Sequence, residues 1–120
     1  MSSAAPELSV VIPAYNEERR LPETLRRVRA YLQARGFIAE VIVVDDGSVD
    51  GTAALVESAH AEFPGLRLVS NGRNEGKGYS VRHGLLEARG RVVLFTDADL
   101  SAPIEEADKL LAAMERGYAV

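Results

Sequence analysis

Apolar positions along the chain switch between two spacings. Leu8 to Pro13 is a short β-branched run that predicts a first strand. Leu21, Leu25, Val28 and Leu32 then recur at i, i+4, i+7 and i+11, one stripe of an amphipathic helix. Pro22 suits that helix's first turn and Gly36 its stop. Val41 to Val44 is a continuous apolar strand ending at Asp45-Asp46-Gly47-Ser48. Asp50 is placed to cap a second helix carrying Ala53, Leu55, Val56 and Ala59, which Pro64-Gly65 ends. Leu66 to Val69 predicts a third strand, Asn71 to Gly78 a glycine-rich loop, and Tyr79 to Arg89 a third helix stopped by Gly90. Val92 to Phe95 is the fourth strand. A fourth helix, Ile104 to Arg116, opens at Ser101 or the Pro103 turn and stops at Gly117.

Strands alternating with helices of this length imply βαβ units and a mainly parallel sheet with helices on both faces. Three polar clusters then coincide. Pro13-Ala-Tyr-Asn-Glu17 follows the first strand, Asp45-Asp46 the second and Asp97-Ala-Asp99 the fourth. All three fall at carboxyl ends of strands, the edge where open α/β sheets bind ligands. Asp and Asn also favour strand-to-helix turns for purely local reasons, but three such clusters on one edge are hard to explain that way.

Composition narrows the class. The 120 residues read as one domain, and 47% apolar content excludes global disorder. A net charge of -4 speaks against a nucleic-acid binder. With no cysteine there is no disulfide framework, thiol nucleophile or zinc–thiolate site. Residues 1–7 lack the charged and apolar regions of a signal peptide and read as a loose tail. No apolar stretch approaches a membrane span. The chain therefore reads as soluble, or attached at most to a membrane surface.

The chemistry concentrates in a few places. Asp97 and Asp99 supply two carboxylates directly after a buried strand, where unpartnered charge is expensive. A hard divalent cation bridging phosphates suits them; turn and cap carboxylates are the plainer alternative. Asp45 and Asp46 offer acceptors to base or sugar N–H and O–H groups, or simply form an Asp-Gly turn. Asn74-Glu-Gly-Lys-Gly78 can bring backbone N–H groups and the Lys77 ammonium to phosphate. It is not a P-loop, since Gly78 stands where Ser or Thr should follow the lysine. Tyr15 can stack on a flat base and Glu17 reach a ribose hydroxyl. His60 and His83 lack metal-ligand spacing and read as structural or solvent-facing. The arginines from Arg19 to Arg35 are interleaved with glutamates and read as a solvated helix face; a membrane-surface role is the alternative.

Taken together, Val10-Val-Ile-Pro-Ala-Tyr-Asn-Glu17, Val43-Val-Asp-Asp-Gly-Ser48, Asn74-Glu-Gly-Lys-Gly78 and Phe95-Thr-Asp-Ala-Asp-Leu-Ser101 resemble the family 2 glycosyltransferases in order and spacing. The chain looks most like the dolichyl-phosphate and other polyprenyl-phosphate glucose and mannose synthases, and Gly-Lys-Gly-Tyr-Ser-Val-Arg most like the glucose branch. The resemblance implies the Rossmann-like GT-A fold for nucleotide-diphospho-sugar transfer and a Mg2+ or Mn2+ cofactor. It implies that Pro13, Tyr15 and Glu17 contact base and ribose and that Val44, Asp45 and Asp46 complete the nucleoside pocket. Lys77 would face phosphate. Asp97, Ala98 and Asp99 would take the ribose–diphosphate side, with Asp97 and Asp99 at the metal. Ser101 falls where some members carry a further metal ligand, and a hydroxyl is a weak one.

The implied partners are UDP-glucose or GDP-mannose as donor and a polyprenyl phosphate as acceptor, at a cytoplasmic location, free or at the cytoplasmic face of the membrane. Catalytic domains of the family are longer, so residues 8–120 are expected to be a truncated, nucleotide-sugar-binding half, inactive in transfer and prone to self-associate through an unpaired sheet edge. Two rival readings place aspartates similarly. An aspartyl-phosphate phosphatase carries Asp-x-Asp after its first strand, not its fourth. A phospho-receiver module needs later Ser or Thr and Lys positions that have no counterpart here.

Overall fold

The computed structural model describes residues 5–99 and 103–115. Its strands are β1 (Leu8–Ala14), β2 (Ala39–Asp45), β3 (Leu66–Ser70) and β4 (Val92–Phe95). They alternate with α1 (Leu21–Arg35), α2 (Thr52–Ala59) and α3 (Lys77–Glu87), and a 3-10 turn, Ile104–Glu106, leads into α4 (Ala107–Glu115). The strands form one parallel sheet in the order β3-β2-β1-β4. The chain steps outward from β1 to β3, and α3 then carries it back to the far side of β1. The winding direction therefore reverses between β1 and β4, which opens a crevice at their carboxyl ends.

The strand period of two explains the core. Val10 and Ile12 of β1, in register with Val41 and Val43 of β2, face α1 and α2 and pack with Leu25, Val28, Leu32 and Val56. Val11, Ile42 and Val44 point to the opposite face. There α3 lies so close that a Cβ on Gly84 would stand 2.3 Å from Val11 Cγ1 and 3.1 Å from Val44 Cγ2. Both faces of the central strands are covered, so β1 and β2 show unbroken apolar runs where a half-exposed strand would alternate.

Several boundaries differ from the sequence expectation for tertiary reasons. Helix α3 begins at Lys77, two residues early, after Gly76 takes a φ of 98°. It ends at Glu87, because the chain beyond it is captured from below: Arg89 N–H donates to Glu40 Oε2 at 2.7 Å and Gly90 N–H to Ser9 Oγ at 2.8 Å. Pro6 and Glu7, counted in the loose tail from sequence, are tied in, since the Arg91 N–H donates to the Pro6 carbonyl and the Glu7 N–H to the Ile38 carbonyl. The N-cap of α2 is Gly51 and not Asp50, although Asp50, one position earlier, accepts from the Thr52 N–H at 2.9 Å. The fourth helix is split into the 3-10 turn after Pro103 and α4; its expected stop at Gly117 lies outside the described residues. Among the described residues no helix is long and apolar enough to cross a membrane.

Candidate functional site

The loop after β1 is clamped to the loop after β2. Asn16 adopts a φ of 53°, a conformation asparagine tolerates better than most residues. Its N–H donates to Ser48 Oγ and its Oδ1 accepts from the Val49 N–H, each at 2.9 Å. The Glu17 N–H donates to Thr52 Oγ1 at 2.9 Å. Tyr15 is left half exposed at the mouth of the crevice.

The acidic pair is fixed from the other side. Ala98 is buried, and its carbonyl accepts the hydroxyl of the buried Thr24 on α1. The residue between the two aspartates is thus anchored to a helix, while the aspartates on either side remain about two-fifths exposed. An open cleft of about 420 Å3 results, with Pro13, Tyr15 and Glu17 on one wall and Asp97, Ala98 and Asp99 on the other. Lys77, the first residue of α3, completes it. Its Nζ lies 2.6 Å from Asp97 Oδ1, and that hydrogen bond and charge raise the lysine above its ordinary pKa. Arg20 Nη1 lies 3.5 Å from Asp99 Oδ2 and 4.0 Å from Glu17 Oε1.

The other three sequence-selected residues do not line this cleft. Val44 is fully buried beneath α3. Asp45 is buried and accepts the Ser48 N–H at 3.1 Å, the plain Asp-Gly turn. Asp46 is buried too, and its carboxylate is engaged with the glycine-rich loop. It accepts from the Glu75 N–H at 2.7 Å, the Gly76 N–H at 3.0 Å and Asn71 Nδ2 at 2.9 Å. Burial pushes this carboxyl up, but the Glu75, Asn71, Gly76 and Ser80 hydrogen bonds outweigh it and hold the group below its ordinary value. Asp46 thereby sets where α3 begins and where Lys77 stands. Ser101 lies outside the described residues.

Both histidines are structural. His60 Nδ1 pairs with the Leu66 carbonyl at 2.6 Å and His83 Nδ1 with Asn71 Oδ1 at 2.7 Å. Arg20, Thr24 and Asn71 belong to no motif that points to the cleft. The sequence groups Arg20 with the arginines of a solvated helix face, but it stands just before α1, and its position three residues after Glu17 is the one signal that points to the site.

Among the described residues no three His, Cys, Asp or Glu side chains gather into a metal-holding group. The chemistry of the donor set still fits a hard ion. Two carboxylates converge on a cleft with protein cations already drawn to them, and Mg2+ commonly takes one or two carboxylates and completes its shell with phosphate oxygens and water. Mn2+ suits the same oxygen donors.

The glycosyl transferase family 2 profile matches residues 9–120. A dolichyl-phosphate beta-glucosyltransferase of Drosophila melanogaster is 44% identical over 117 residues, covering 92% of this chain and 36% of that protein. An undecaprenyl-phosphate 4-deoxy-4-formamido-L-arabinose transferase of Pseudomonas paraeruginosa is 43% identical over 115 residues, 94% of this chain and 34% of the other. The chain thus spans about a third of the length of these relatives. Among solved structures, the mannosyltransferase PcManGT of Pyrobaculum calidifontis, in complex with GDP-Man and Mn2+, superposes with a TM-score of 0.68 at 33% identity, over 81% of this chain and 28% of that one. TarS of S. aureus with UDP-GlcNAc gives 0.74 at 29% identity, over 92% of this chain and 31% of the other.

Proposed function

The chain belongs to glycosyl transferase family 2, and on that premise we propose that it is the donor-binding part of an enzyme that moves a hexose from a nucleotide diphosphate to a polyprenyl phosphate. The observation that carries this reading is the cleft between β1 and β4, where Pro13, Tyr15, Glu17, Lys77, Asp97 and Asp99 meet at the reversal of the sheet.

The half-exposed Tyr15 ring offers a stacking surface for the base, and Glu17 offers a carboxylate to the ribose hydroxyls. Val44 and Asp46 act from beneath, one as the apolar floor under α3 and the other by fixing the glycine-rich loop. Lys77 and the amino end of α3 favour the diphosphate through charge and helix polarity. Asp97 and Asp99 would hold Mg2+ or Mn2+, which when bound neutralises charge on the departing diphosphate. A polyprenyl-phosphate oxygen is already ionised and needs alignment with the anomeric carbon more than it needs a base. In-line attack by that oxygen inverts the anomeric configuration.

The Drosophila relative favours glucose, and hence UDP-glucose as the donor to test first. The mannosyltransferase structure makes GDP-mannose the second. Calorimetry with each donor, with and without Mn2+, tests the proposal. UDP-glucose is expected to bind only with Mn2+, and Asp99→Asn to abolish that binding. Failure of both donors to bind would overturn the reading. Because the chain spans about a third of its relatives, we expect these 120 residues to bind donor without transferring sugar to polyprenyl phosphate; robust transfer would refute that part.

A further inference from the structure

Among the described residues, a protein cation stands beside each carboxylate of the acidic pair, and the two cations come from different elements. Lys77, at the amino end of α3, reaches Asp97 at 2.6 Å. Arg20, immediately before α1, reaches Asp99 at 3.5 Å. Both side chains are more than three-fifths exposed, so charge and not packing holds them there. A divalent ion between the carboxylates needs oxygens that these groups occupy. It competes with the ammonium and guanidinium for the carboxylates and repels both. A diphosphate changes the balance, because it brings negative charge that attracts both cations and oxygen atoms that complete the shell of the metal.

We propose that Lys77 and Arg20 are displaceable counter-ions: they disfavour a divalent cation in the cleft until a nucleoside diphosphate arrives, and then shift from the aspartates to its phosphates. This deepens the donor-binding reading above and rests on it for the second step. It gives Arg20 a binding role that the helix-face pattern of its neighbours concealed, and it makes metal and nucleotide binding mutually dependent. No covalent change is involved; two ion pairs are exchanged for two others.

Because the two steps have opposite electrostatic signs, one substitution separates them. Lys77→Met removes the competitor of the metal and also the partner of the phosphate. Mn2+ alone, followed by the free-ion electron paramagnetic resonance signal, is expected to bind Lys77→Met about three- to fivefold more tightly than wild type. UDP or GDP in saturating Mn2+ is expected to bind it about tenfold more weakly. Arg20→Met is expected to move both affinities in the same directions, and Lys77→Arg to stay near wild type in both. A merely structural role would not produce opposite shifts. Unchanged or weakened Mn2+ affinity in both Met variants would overturn the counter-ion role, whatever the nucleotide does. If Mn2+ binding tightens but no protein binds UDP or GDP, the donor reading fails while the competition between protein cations and metal stands.

Discussion

The hydroxyl of Thr24 donates to the carbonyl oxygen of Ala98, across 74 positions of sequence. Both residues are buried. This bond joins α1, which grows out of the β1 side of the crevice, to the turn that presents Asp97 and Asp99 on the β4 side. The spacing of the acidic pair against the opposite wall is therefore set by a residue that does not itself line the cleft. Thr24→Val keeps the shape and leaves the carbonyl without this donor. It is expected to lower stability by about 1–3 kcal/mol and to weaken Mn2+-dependent nucleotide binding, while Thr24→Ser keeps both. Urea unfolding paired with calorimetry checks this; a Val variant matching wild type in both would count against the anchoring role.

Asp46 gives the fold a defined acid sensitivity. Burial raises its carboxyl, but the hydrogen bonds from Glu75, Asn71, Gly76 and Ser80 prevail and hold it below its ordinary value. A carboxyl that is more acidic folded than unfolded adds stability at neutral pH and loses it as pH falls below about 3.9 toward the folded value. Asp46→Asn removes that term. Urea unfolding near pH 7 and near pH 3 is expected to show a wild-type advantage that shrinks in acid. A gap of equal size at both pH values would show that the carboxylate's charge is not what holds the loop.

At Gly84, α3 lies directly against the side chains of β1 and β2. With a Cβ 2.3 Å from Val11 Cγ1, Gly84→Ala forces α3 away from β1. The expected loss is about 1–3 kcal/mol, with weaker nucleotide binding because Lys77 stands at the same helix's first turn. Thermal unfolding and nucleotide titration measure the two effects. An alanine variant with wild-type stability would mean that the helix can shift at no cost.

Strand β4 pairs with β1 and, among the described residues, with no other strand. Its last residue, Phe95, is 44% exposed. A strand edge that no described strand pairs with, beside an aromatic side chain, favours pairing with another chain. The 120-residue chain is expected to self-associate with increasing concentration in sedimentation velocity, and Phe95→Lys to suppress it. A monomer at every concentration would overturn this.

The order of elements and the edge where the chemistry lies are legible in the residue pattern alone. Both follow from local rules: a period of two or 3.6 marks each element, and polar clusters after apolar runs mark the carboxyl ends of the strands. That is why Pro13, Tyr15, Glu17, Lys77, Asp97, Ala98 and Asp99 could be selected from motifs, and why the same residues line the cleft. Local rules also located Asp46, but not its engagement. Only the return of α3 over the sheet brings the Glu75 and Gly76 N–H groups to its carboxylate, and that return depends on packing at Gly84. The same holds for the helix ends. Propensity alone would carry α3 to Arg89, but contacts with Ser9 and Glu40, far away in sequence, stop it at Glu87. Arg20 and Thr24 belong to this second class. An arginine before a helix and a threonine within one have no periodic signature, and their partners are fixed only when β4 is laid beside β1. Local patterning brings these groups to the sheet edge; long-range packing sets which of them face the cleft, which are spent on holding it open, and which cations stand at the two aspartates.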